Sequence, residues 1–234
     1  MSTAERLKRF GDLPVADDLH LDMLPEAQAE LWGALGEIPL EFVLYGGTAV
    51  ALRRGHRQSL DFGFFSSEPF APGDLLSELS WLGRPEVGEW KRNALTVVTS
   101  SEVRLSFFGG LDLQVVAQPS MAQDNGLVIA SIEDLAGTKA KALLDRSEWR
   151  DYVDIDELLG PALTLPDMIG CATTIFAPRF VFPGAVFLRA LVSFEDGSAP
   201  DVPGEVRARL EAAARDAWHA DIPIVQPFAT HITP

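Results

Sequence analysis

Residues 44–65, LYGGTAVALRRGHRQSLDFGFF, constrain the chain more than any other stretch. They read as a short buried strand ending in two glycines, a helix over 48–54 closed by Gly55, a basic loop, and a second strand over 60–65. Gly46 and Gly47 at a strand-to-helix turn leave free backbone N–H groups beside a helix N-terminus, and an anion can approach such a backbone closely. Thr48 can cap the helix or donate its hydroxyl to a phosphate oxygen. A tight turn with no ligand satisfies the same residues. The loop Arg53-Arg54-Gly55-His56-Arg57 suits bidentate phosphate binding, or a solvated charge run. Asp61 can hold Mg²⁺, which takes one or two carboxylates and completes its shell with water and substrate phosphates. Residues i and i+2 of a strand share a face about 6.5–7 Å apart, so a D-x-D strand clamps a divalent ion. Here the second position is Gly63.

Around this block the pattern predicts helices over 25–36 and 72–82, a hairpin over 94–108, and further strands over 111–116 and 127–131. From Ser131 the character changes. A capping box (Ser131 with Asp134) opens a helix carrying Leu135, Lys139 and Leu143 at i, i+4, i+8. Further helices follow over 148–160, 165–176, 184–194 and 203–219. The expected class is α+β (mixed α/β): an α/β core over 1–125 with a small mixed sheet, and a helical subdomain over 126–234 packed on it.

Composition narrows the function. With 34 acidic and 19 basic residues the formal charge is −15, which argues against a broad nucleic-acid-binding face but not against a small basic pocket. Cys171 is the sole cysteine, so an intramolecular disulfide is impossible, and its apolar neighbours make it a core thiol. No run approaches the ~18 apolar residues of a membrane span, and the first twelve residues lack a secretory apolar core. A cytoplasmic protein with no membrane partner is expected. The common nucleotide-binding, hydrolase and zinc motifs are absent, and the four histidines sit at no ligand spacing.

The series GGTA (46–49), HRQS (56–59) and LDFGFF (60–65), followed by EDLAGTKAKALLDRSEWRDYVDIDELL (133–159), resembles the AbiEii/AbiGii-type nucleotidyltransferase toxins of abortive-infection and toxin–antitoxin systems. The resemblance covers roughly 40–160. It implies a polymerase-β-like nucleotidyltransferase fold, an NTP substrate, Mg²⁺ as cofactor, an RNA (tRNA) or protein acceptor and a cognate antitoxin. It assigns Gly46, Gly47 and Thr48 to the triphosphate, Arg57 and Ser59 to the phosphates or the loop, and Asp61 to the metal. Lys139 would contact the nucleotide phosphates, with Lys141 a secondary candidate, and Asp151 with Asp154 would take the later acidic role. Two positions depart from the pattern. Gly63 replaces the second acid, and Ser106 stands where a third would align, with Asp112 as a possible substitute. Two readings follow: an active nucleotidyltransferase, or a catalytically degenerate relative that binds nucleotide or a partner.

Overall fold

The computed structural model describes residues 13–16 and 18–232; of the approach segment, residues 1–12 and Asp17 lie outside them. The chain divides into two compact units. The first comprises residues up to Asp112, then Gln118–Ser131, and a return from His231; the second comprises Leu113–Ala117 and Ile132–Thr230.

The mixed α/β class expected from the sequence is what the first unit shows. Eight strands are described: β1 (Val15–Ala16), β2 (Val43–Tyr45), β3 (Asp61–Phe65), β4 (Glu86–Lys91), β5 (Ala94–Val98), β6 (Arg104–Phe108), β7 (Ser120–Ala122) and β8 (Val128–Ile129). They form one sheet in the order β1-β7-β8-β2-β3-β6-β5-β4. Among the described residues three α-helices belong to this unit: α1 (Glu26–Trp32), α2 (Gly46–Arg54) and α3 (Pro72–Glu78). β3 lies antiparallel to β2 and parallel to β6, and β6 is antiparallel to β5.

Period-two alternation gives the central strands two unlike faces. On one, Leu44, Phe62, Phe64, Leu95, Val97, Leu105 and Phe107 are fully buried, with Phe64 stacked on Phe107 at a ring separation of 4.9 Å. Burying each such side chain contributes about 1.5–3 kcal/mol, so this face fixes the register. The other face carries Asp61, Gly63 and Phe65 of β3 beside Arg104, Ser106 and Phe108 of β6.

The second unit contains α4 (Ile132–Arg146), α5 (Trp149–Leu158), α6 (Leu165–Phe176), α7 (Gly184–Leu191) and α8 (Gly204–Ala217). α4 lies tightly on α6: a Cβ at Gly137 would sit 2.5 Å from Ile175 Cδ1 and 3.0 Å from the Ala172 nitrogen. Cys171 is buried here, and burial pushes its thiol up to about 12, as suits a core residue.

The strand expected over 111–116 does not form. Only Val115 makes a bridge, antiparallel to Ala229. Neighbouring backbone groups bond elsewhere, because both carboxylate oxygens of Asp134 accept, from the N–H of Val116 and of Ala117. Period-two apolarity reported burial correctly here, but a side chain satisfied the donors that a sheet would have used. Among the described residues no helix is long and apolar enough to cross a membrane.

Candidate functional site

In the first unit the glycine turn comes about as follows. β2 ends at Tyr45, and α2 starts at once on Gly46, whose φ of +79° lies in the left-handed region. The helix therefore begins two residues before the expected position. Thr48 lies inside it, 1% exposed, and its hydroxyl donates to the backbone carbonyl of Asp61 at 2.7 Å. That bond fixes the start of α2 against the start of β3 and engages the Thr48 hydroxyl.

Gly47 draws the next two candidates in. A Cβ there would lie 2.8 Å from Arg57 Nη2 and 3.0 Å from Ser59 Oγ. Gly47, Arg57 and Ser59 thus converge, and Arg57 also donates to the Gln58 carbonyl at 2.9 Å. α2 closes on Gly55 at φ +65°, whose N–H returns to the Ala51 carbonyl. Its two terminal arginines differ. Arg53 donates to the carbonyls of Ile129 and Ala130 and to Ser120 Oγ, tying α2 to β7 and β8. Arg53 is therefore framework. Arg54 Nε is buried with no hydrogen-bond partner.

Asp61 and its register partner set the electrostatics. Arg104, opposite Asp61 on β6, brings Nε to 3.5 Å from the Asp61 carboxylate, and both side chains are more than half exposed. One step along, Gly63 pairs with Tyr45 on β2 and Ser106 on β6. A Cβ at Gly63 would meet only the Tyr45 carbonyl, at 3.7 Å, and Ser106 Oγ shares a hydrogen bond with Thr96 Oγ1 at 3.1 Å. The two positions that lack acids are therefore neighbours on one face.

In the second unit, Lys139, Asp151 and Asp154 come together in the interior. Lys139 Nζ lies 2.9 Å from Asp151 Oδ1 and 2.5 Å from Asp154 Oδ2, and all three residues are almost fully buried. Arg146 completes the group, donating from Nε to Asp151 Oδ2 at 2.8 Å and from Nη2 to Oδ1 at 2.9 Å. Burial pushes the Asp151 carboxyl up, but the Arg146 hydrogen bonds and the Lys139 charge outweigh it and hold the group below its usual value. The hydrogen bond to Asp151 in turn raises Arg146. Two cations face two carboxylates, so the quartet balances to zero, with Arg146 half exposed and the other three buried. Arg146 was not anticipated from the sequence, although it lies seven residues after Lys139, two turns on along one face of α4. Lys141 pairs with Asp145 on the helix surface and lies over the Phe180 ring.

With both sites described, the comparisons place the chain. A family model described as nucleotidyl transferase AbiEii toxin, type IV toxin–antitoxin system, matches residues 33–223. The chain belongs to the AbiEii family. An uncharacterized protein of Aquifex aeolicus (strain VF5) is 31% identical over 117 residues, covering 49% of this chain and 56% of that relative. The chain thus matches little more than half the length of that curated relative. The crystal structure of a presumed nucleotidyltransferase from H. pylori superposes with a TM-score of 0.48 at 16% identity, over 81% of this chain and 92% of the other.

Family membership implies a divalent metal, and the residues around Asp61 test it. A clamp needs carboxylates on one face, yet the positions beside Asp61 are Gly63, Ser106 and Arg104. Asp112 follows Gly110, beyond the end of β6 and outside its register. Among the described residues no group of three or more His, Cys, Asp or Glu could hold a metal ion. The donor set does not fit a two-carboxylate magnesium clamp.

Proposed function

We propose that this AbiEii-family chain binds a nucleoside triphosphate at the glycine turn of α2 and transfers its nucleoside monophosphate to a hydroxyl of an RNA (tRNA) or protein acceptor, as a toxin held in check by a cognate antitoxin. The observation that carries the binding step is the convergence of Gly47, Arg57 and Ser59 where α2 meets Asp61. Backbone amides at a helix start and an arginine fork suit a polyphosphate. Transfer of this kind depends on in-line positioning and on neutralising phosphate charge, with pyrophosphate leaving as the acceptor oxygen attacks. Within the first unit Arg57, Arg104 and the α2 amides supply that neutralisation.

A second reading rests on Gly63 and Ser106: the chain binds nucleotide, or a partner, without transferring anything. Labelled NTP incubated with the protein in cell lysate separates the two. Under the first reading an acceptor becomes labelled, and Asp61→Ala or Arg57→Ala reduces the label by about tenfold or more. An unlabelled lysate, together with a large gain of transfer in Gly63→Asp, establishes the second. Label that persists undiminished in both Asp61→Ala and Arg57→Ala rejects the transfer site.

A further inference from the structure

We propose that Arg104 does at this site what a metal ion would do, so that triphosphate binding proceeds without a divalent cation. The inference rests on the proposed nucleotide site and adds the identity of its charge partner.

Four observations on one sheet face support it. Arg104 is the register partner of Asp61 across parallel strands, its Nε 3.5 Å from the carboxylate. An arginine held there already occupies the counter-charge position beside the lone acid, and a cation arriving at Asp61 would be repelled by it. Both side chains are more than half exposed, so the pair is weakly held, and the guanidinium can exchange the carboxylate for a phosphate oxygen at little cost. A guanidinium offers several donors in a planar fork that matches phosphate geometry, and it stays charged at every working pH.

The neighbouring positions agree. Gly63 leaves open space beside Asp61, since a Cβ would meet nothing nearer than a carbonyl at 3.7 Å. Ser106 and Thr96 line the adjacent positions with hydroxyls, which can accept from or donate to a ligand whatever its charge. The face thus offers one carboxylate, one arginine and two hydroxyls where a metal clamp would gather carboxylates. A chain of net charge −15 must also supply its own local cations to hold a polyanion. Thr48 ties the glycine turn to the strand that carries Asp61 by its bond to the Asp61 carbonyl.

The test is titration calorimetry of the full chain with ATP, GTP, CTP and UTP, in EDTA and in excess Mg²⁺, for wild type, Arg104→Gln and Arg104→Lys. For the nucleotide that binds, wild-type affinities in the two conditions should agree within about threefold, and Arg104→Gln should lose about tenfold in EDTA. Arg104→Lys, which keeps the charge but not the fork, should fall between them. Thermal melts check that the variants are folded, as an exposed position predicts. Wild-type binding that appears only with Mg²⁺ overturns the inference and leaves the proposed function standing. So does an Arg104→Gln chain that binds as wild type in EDTA. No binding of any triphosphate in either condition overturns both.

Discussion

Two acid–base groups, one in each unit, set side by side what solvent does to the same chemistry. Asp61 and Arg104 meet at 3.5 Å on an open sheet face, each more than half exposed. Asp151, Asp154, Lys139 and Arg146 meet at 2.5–2.9 Å, with both acids fully buried. In water a pair is screened and free to exchange partners; Lys139, Asp151 and Asp154 are held because their own partners replace the solvent they lack, while Arg146, half exposed, closes the group from the surface. The exposed pair is therefore suited to a ligand, and the buried quartet to holding α4 and α5 together.

Removing a member of the quartet should have the largest effect. Asp151→Ala takes from Lys139 and Arg146 the carboxylate that both bond, and should cost about 3–5 kcal/mol, read as a fall in urea or thermal midpoint. A loss below about 1 kcal/mol would show that the group is solvated after all. Acid should act in the same direction more gradually. The Asp151 carboxyl is held below its unfolded value, so its contribution is present above that unfolded value and is lost as pH falls through the folded one. Stability measured against pH should therefore decline below about pH 4, and less steeply in Asp151→Asn.

Changes on the sheet face should move binding more than stability. Gly47→Ala brings a Cβ to 2.8 Å from Arg57 Nη2; those side-chain tips can shift, so stability should change by about 1 kcal/mol or less, while triphosphate affinity drops about three- to tenfold. Arg104→Gln should be the mildest for the fold, within about 0.5 kcal/mol by thermal denaturation. If it destabilised the protein as much as Asp151→Ala, the contrast between the two regions would collapse.

The sequence shows these regions unequally. The first was legible because glycines, arginine, serine and aspartate sit within twenty residues, where turn chemistry and strand period act locally. What it concealed was Arg104, since pairing β3 with β6 is a long-range outcome of burying Phe62, Phe64, Leu105 and Phe107. Of the two roles open to Thr48, the cap falls away because Gly46, with positive φ, lets the helix begin earlier. In the second unit, the residues Lys139, Asp151 and Asp154 were visible as candidates, but their burial was not: charges on a helix ordinarily face water. Arg146 shares the helix face of Lys139 and could have been found by asking what balances two interior acids. The stretch 111–116 misled because alternation reports a buried edge and is silent on whether a strand or the Asp134 carboxylate takes its N–H groups.

The division of the chain has a practical consequence for anyone wishing to study either half alone. The backbone passes between the units after Asp112, after Ala117, after Ser131 and after Thr230. No single cut yields both units whole, because one strips the first unit of the closing segment whose Ile232 N–H bonds Ser67 Oγ, or leaves residues 113–117 in the wrong piece. Gene fragments split at one junction should therefore be insoluble when expressed alone.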